Sequence, residues 1–205
     1  MRERSEAADP ANGYETAAGK FIAARRDSRV GVKAVLAWAR GLRPGATILD
    51  LGCGFGTPLA AALMSAGKVI YGVEASPTLC AAFRASFPDV RVACESVEES
   101  AFFGRTFAGV LAWGLMFLLP RDAQLELIRR VAAVLEAGGS FLFTAPVEAC
   151  SWVDVLTGRT SHSLGEPTYK VTLEGAGLLA SAGFTDEGGN YYYHAIKPPR
   201  TVAAL

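Results

Sequence analysis

Between Thr47 and Thr144, short apolar runs alternate with amphipathic stretches, and few folds accommodate that order. The runs are Thr47–Leu51, Lys68–Val73, Val90–Ala93, Phe107–Trp113 and Ser140–Thr144. The second is nearly all apolar, as expected for a strand covered on both faces. Helical patterns run from about Pro58 to Ala66, from Pro77 to Phe87 and from Asp122 to Leu135. Ser76 is a good N-cap for the middle one, with Pro77 at its first position. Strand–helix alternation of this kind predicts an α/β fold with a parallel sheet and right-handed crossovers.

The flanks read differently. Residues 1–12 look irregular, and helices are expected at Gly13–Arg26 and Val30–Gly41, followed by an Arg43-Pro44-Gly45 turn. Residues 146–166 carry Pro, Trp, Gly, Ser and His with no periodicity. That is long for a connection, and such segments are often lids or binding loops. A last helix is expected at Thr168–Ala182. Phe184–Glu187 and Tyr191–Ile196 then flank Gly188-Gly189-Asn190 as a closing hairpin. No repeat and no linker interrupts the chain, so one domain over residues 1–205 is expected.

Composition narrows the function classes. Twenty basic residues balance 20 acidic ones, so no net field draws the chain to nucleic acid or to an anionic membrane. The charge-free run Phe107–Pro120 is too short to span a bilayer. Met1–Pro10 is charged and lacks the apolar core of a signal peptide, which points to a cytoplasmic protein. The cysteines at 53, 80, 94 and 150 form no CxxC pair, which fits reduced thiols. With only His162 and His194, a His-rich metal centre is not expected.

The first strand ends in Ile48-Leu49-Asp50-Leu51-Gly52-Cys53-Gly54-Phe55-Gly56-Thr57, a carboxylate followed by a glycine turn and then a helix. Such a turn lets a ligand approach the main chain closely. Two nucleotide readings compete for it. A nicotinamide or flavin site needs G-x-G-x-x-G, and the third position here is Thr57. A P-loop needs Gly-Lys-Ser/Thr, which is missing. Asp50 at the mouth of the turn would repel a pyrophosphate but suits a cationic amino group. Glu74, at the end of the second strand, can accept from both hydroxyls of a ribose. Glu95 and Ser96 follow the third strand, where an adenine edge could be read. A ribose, an adenine and a cationic amino-acid tail without phosphate describe S-adenosylmethionine.

The chain resembles the class I S-adenosylmethionine-dependent methyltransferases, over nearly its whole length. Asp50-Leu51-Gly52-Cys53-Gly54-Phe55-Gly56 is similar to the family's E/D-x-G-x-G-x-G motif. Val73-Glu74-Ala75-Ser76, Cys94-Glu95-Ser96-Val97-Glu98, Phe107–Gly114 and Leu135-Glu136-Ala137-Gly138-Gly139-Ser140-Phe141-Leu142 follow at the family's spacing. The resemblance implies a Rossmann-like three-layer αβα sandwich with seven strands in the order 3-2-1-4-5-7-6, the last antiparallel. It implies a helical cap over residues 1–45, a cofactor-binding core over 46–145, and an acceptor-side lid with closing strands over 146–205. It also implies roles. Gly52, Cys53 and Gly54 would cradle the amino acid and ribose, with Asp50 on the amino group. Glu74, with Ala75 and Ser76, would take the ribose. Glu95, Ser96 and Val97 would meet the adenine, and the Ala112 carbonyl would face the amino group. Three departures stand out: no His follows the fourth strand, Ala137 replaces the usual Pro, and Ala108 stands where Asp is common.

Methyl transfer from a sulfonium is an in-line displacement in which alignment and desolvation do much of the work. A base is needed only where the acceptor must first lose a proton. Aromatic rings stabilise a sulfonium, and Trp113, Phe117 and Tyr14 are the candidates, Tyr14 as part of a segment folded over the site. His162 is the weak candidate for a base. Arg25, Arg26 and Arg29 could hold an acidic acceptor or simply form a solvated face. The expected acceptor is a small molecule, with no nucleic acid or membrane partner, acting on a monomer or homodimer. The resemblance leaves two alternatives: a non-catalytic protein of the same fold that binds S-adenosylmethionine or S-adenosylhomocysteine, and an NAD(P)-dependent oxidoreductase.

Overall fold

The computed structural model describes residues 9–199. The first eight residues of the segment expected to be irregular lie outside it. The five expected strands are β1 (Thr47–Leu51), β2 (Val69–Glu74), β3 (Arg91–Cys94), β4 (Phe107–Ala112) and β5 (Leu135–Thr144). Around them lie α1 (Tyr14–Arg25), α2 (Val32–Ala39), α3 (Leu59–Ser65), α4 (Pro77–Ser86) and α5 (Arg121–Val134). The Ser76 hydroxyl accepts from the Leu79 N–H at 3.2 Å, the expected cap of α4. At the far end of α5, Lys197 Nζ donates to the carbonyls of Ala132 and Leu135, supplying partners that a helix C-terminus lacks.

Two parts of the C-terminal third differ from expectation. Residues 146–166 are not an irregular loop. They hold a separate antiparallel hairpin, β6 (Ala149–Val153) and β7 (Thr160–Leu164). Its strands, Ala-Cys-Ser-Trp-Val and Thr-Ser-His-Ser-Leu, do not alternate apolar with polar residues, so no period-2 hydropathy marks them. The Asp154 carboxylate organises the turn by accepting from Leu156 N and Thr157 N, both at 2.9 Å. The last helix, α6 (Glu166–Gly175), ends seven residues before Ala182, as the Leu178 N–H bonds back to the Leu173 carbonyl. The chain then enters β8 (Leu179–Ala180), β9 (Phe184–Thr185) and β10 (Tyr191–Ile196).

The sheet runs β3-β2-β1-β4-β5-β10-β8, with β9 also on β10. With the detached hairpin set aside, this is the 3-2-1-4-5-7-6 order, its sixth place shared by two short strands. β1 to β5 are parallel, and β10 is antiparallel to β5 and to β8. Side chains alternate between the two faces. Leu49, Leu51, Val110, Phe141, Phe143 and Tyr193 pack with Leu127, Ile128 and Val131 of α5 and Tyr169 of α6. Ile48, Ile70, Leu111, Leu142 and Tyr192 pack with Val35 and Trp38 of α2, Leu63 of α3 and Phe83 of α4. The result is a three-layer αβα sandwich. Among the described residues no helix is long and apolar enough to cross a membrane.

Candidate active site

The C-terminal ends of β1, β2 and β4 open into a cavity of about 590 Å³. That is where an open α/β sheet binds ligands, because its loops diverge there. The turn after β1 forms the floor. Gly54 has φ +57°, and a Cβ on it would sit 3.2 Å from the Phe21 ring. Gly56 has φ +85°, and a Cβ there would come within 2.7 Å of Phe87 and 2.8 Å of Phe83. The first of these glycines thus keeps the cavity side of the turn open, and the second lets the turn seat against α4.

Two carboxylates sit on this floor. Glu74, 7% exposed, accepts from Gly54 N at 2.9 Å and from Ser76 N at 2.8 Å, one bond to each oxygen. Burial pushes its pKa up, and these amide bonds act against that rise. Each carboxylate oxygen accepts more than one hydrogen bond, so Glu74 retains acceptor capacity toward the cavity. Asp50 is 4% exposed and makes no side-chain hydrogen bond among the described residues. Burial, reinforced by the charge of Glu74, pushes its pKa up to about 7. A buried carboxylate with no donor is costly when ionised and is relieved by a cation. Burial also holds the neighbouring Cys53 thiol protonated, with its pKa well above the ordinary value.

The roof is the segment from Asp9 through α1. Glu15 anchors it to the start of α4, accepting from Thr78 N at 3.0 Å, from Thr78 Oγ1 at 2.6 Å and from the Ser76 hydroxyl. Tyr14 stands edge-on to Phe21, and Phe21 edge-on to Phe55. The Tyr14 hydroxyl donates to Asp154 at 3.3 Å, joining the roof to the hairpin. Burial first, and then Asp154, raise its pKa.

The far wall follows β4. Trp113 Nε1 donates to the Tyr192 hydroxyl at 2.8 Å, which in turn donates to Asp186 at 2.8 Å. The Arg25 guanidinium lies 4.2 Å above the Trp113 ring, and no carboxylate is within ion-pair distance of it among the described residues. Thr160 and His162, on one face of β7, reach the same cavity. His162 Nδ1 is 2.9 Å from Ser151 Oγ, which leaves Nε2 as its ring nitrogen without a partner among the described residues.

The cavity wall brings together Tyr14, Asp50, Gly52, Cys53, Gly54, Glu74, Ala75, Ser96, Val97, Trp113 and His162. Ser76, Glu95 and Ala112 are not on it. The Ser76 hydroxyl is spent on the α4 cap and on Glu15. Glu95 is partly exposed, and its N–H donates to the Glu74 carbonyl. Ala112 is fully buried within β4. Sequence reasoning missed Phe21, Phe55, Leu79, Glu98, Thr160 and Asn190, which line the cavity from six separate segments. Only Phe55 and Glu98, each adjoining a recognised motif, carried a local signal. Among the described residues, no group of three or more His, Cys, Asp or Glu could hold a metal ion.

A sequence model described as "Methyltransferase domain" matches residues 48–139, which span the floor, both carboxylates and β4. Solved structures extend the fold similarity over the flanks of that domain. Magnesium protoporphyrin IX methyltransferase from Synechocystis, solved with bound S-adenosylmethionine, is 16% identical with a TM-score of 0.72 over 95% of this chain and 99% of its own. The 1,6-didemethyltoxoflavin-N1-methyltransferase of Burkholderia thailandensis, solved with 1,6-didemethyltoxoflavin and S-adenosylhomocysteine, is 20% identical with a TM-score of 0.69 over 96% and 93%. The CcbJ methyltransferase of Streptomyces caelestis is 18% identical with a TM-score of 0.72 over 94% and 100%. At these identities the similarity is one of fold. No curated protein matches the sequence.

Proposed function

We propose that the protein transfers a methyl group from S-adenosylmethionine to a small-molecule acceptor. The observation that carries this reading is the pair of buried carboxylates on a glycine floor: Asp50 without a donor, and Glu74 with acceptor capacity left over. A phosphate-bearing cofactor would meet two negative charges there. A ligand with an ammonium and a ribose diol meets one partner for each. Bound S-adenosylmethionine supplies an activated methyl on a sulfonium. The protein's own part is to orient the donor, exclude water and present the acceptor. Asp50 and the turn Gly52-Cys53-Gly54 hold the amino-acid end, Glu74 with Ala75 the ribose, and Ser96 and Val97 the adenine. Tyr14 and Trp113 line the cavity, and Tyr14 offers the electron-rich ring for a sulfonium, since Arg25 already covers the Trp113 ring.

The acceptor side is read from what lies beyond Trp113. Arg25 offers guanidinium donors with no carboxylate partner, which suits an acidic group on the acceptor. His162, with Nδ1 turned to the Ser151 hydroxyl, presents Nε2 as the atom that would take a proton from an acceptor hydroxyl or amine. In this reading residues 1–45 cap the cofactor, residues 46–145 bind it, and residues 146–205 shape the acceptor pocket within one domain. The described cysteines are all free, which fits a reducing, cytoplasmic setting.

Calorimetric titration with S-adenosylmethionine tests the reading. Glu74→Ala should weaken binding by more than about tenfold, the cost of losing hydrogen bonds to a charged acceptor. An unchanged affinity in a folded variant would remove the ribose assignment, and no binding to the wild type would remove the cofactor.

A further inference from the structure

After β3 the chain makes a turn over residues 96–100, and Ser96, Val97, Glu98 and Glu99 line the cavity. Two amides of the turn are satisfied within it. Glu99 N–H donates to Ser96 Oγ at 3.2 Å and Ser100 N–H to the Ser96 carbonyl at 3.0 Å. The N–H groups of Ser96, Val97 and Glu98 have no acceptor among the described residues.

The carbonyls on the other side of the turn converge on one side chain. Arg130, on α5, donates from one terminal nitrogen to Val97 O at 2.6 Å and to Glu98 O at 2.8 Å. The other terminal nitrogen donates to Ser100 O. The guanidinium lies 4.4 Å from the centroid of the buried Phe102 ring. Phe102 and Phe103 have φ of +47° and +59°, a left-handed conformation that bulky residues adopt only when their surroundings impose it. Arg130 forms no ion pair among the described residues and does not line the cavity. Its donors therefore serve the backbone of this turn.

A planar trans peptide points its N–H opposite to its C=O. With the Val97 carbonyl drawn to Arg130, the Glu98 N–H is turned the other way, toward the cavity its own residue lines. We propose that Arg130 is a positioning residue for base recognition: by gripping the Val97, Glu98 and Ser100 carbonyls from behind, it fixes the turn so that the Glu98 N–H stands toward the cavity as a donor for an adenine edge. The proposal rests on the cofactor reading above. An N–H donor fixed there matches adenine, whose N1 accepts a hydrogen bond, and rejects hypoxanthine, whose N1 carries a hydrogen. Mismatched buried donors are a strong basis for discrimination.

The experiment compares two ligands that differ only in the base, S-adenosylhomocysteine and S-inosylhomocysteine, by calorimetry on the wild type, Arg130→Met and Arg130→Lys. The wild type should favour the adenosyl ligand by at least about tenfold. Arg130→Met should reduce that preference to within about threefold, and Arg130→Lys, which keeps a charge but loses the planar fork, should fall between. A general loss of stability would weaken both ligands together, so an unchanged preference in either folded variant overturns the proposal. Should Arg130→Met fail to fold, the preference of Arg130→Lys decides. A wild type without preference also overturns it. Failure of the wild type to bind S-adenosylhomocysteine overturns instead the cofactor reading beneath it.

Discussion

Asp50 is the residue on which the chemistry of the cavity floor turns, because its charge is unmatched. Its pKa stands at about 7, against 3.8 for the free group, because burial and Glu74 disfavour the anion. In the free protein this raised value favours folding below about pH 4, and the benefit is lost as pH rises through 7. Ligand binding has the opposite sign, since a bound ammonium needs the anion. Affinity for S-adenosylmethionine should therefore be several-fold tighter at pH 7.5 than at pH 6, following the ionised fraction. Asp50→Asn should flatten that dependence and weaken binding at the higher pH. Calorimetry at the two pH values checks it, and an equal slope in wild type and variant would assign the titration elsewhere. Both carboxylates were legible in the sequence, because each ends an apolar run beside a turn. Glu95 was legible too, as an acidic residue after β3, yet its side chain is not on the cavity wall. The direction of a loop side chain depends on the turn geometry that follows it.

At the scale of elements, α1 roofs the cavity through Tyr14, Phe21 and Arg25, so its movement would open a route for ligand exchange. Its anchor is Glu15, which accepts from Thr78 and Ser76 where α4 exposes free N–H groups. These bonds hold the Glu15 carboxyl below its ordinary pKa. Glu15→Ala should speed dissociation of S-adenosylhomocysteine measurably while leaving the fold intact, read by stopped-flow fluorescence of Trp113 under the roof. An unchanged rate would mean that ligands leave by the hairpin side instead. The α1 helix itself was legible as a helix but not as a roof. Ala17 and Ala18 are its buried residues, and it has almost no amphipathic stripe to announce which face is covered. The β6–β7 hairpin was not legible at all, since its strands lack apolar alternation and its turn depends on the Asp154 side chain.

Over the whole molecule, the floor, roof and far wall come from segments that only folding brings together. A ligand that bridges them should stabilise the folded state by mass action, by about 2.7 kcal/mol at a hundredfold excess over its dissociation constant. For a chain of 205 residues that corresponds to a rise in melting temperature of several degrees. Thermal scans with S-adenosylhomocysteine should show that rise, and scans with NAD should not. The reverse pattern would favour an oxidoreductase. The sequence by itself determined β1 to β5, the glycine turn and its two carboxylates. Those features rest on period-2 hydropathy and turn chemistry, which act between neighbours in the chain. The tertiary structure alone decided that Tyr14 meets Asp154, that Arg25 covers Trp113 and that Arg130 grips the turn after β3. Those contacts join residues far apart in the chain and leave no local pattern, so they exist only once the sheet has brought its strand ends to one side.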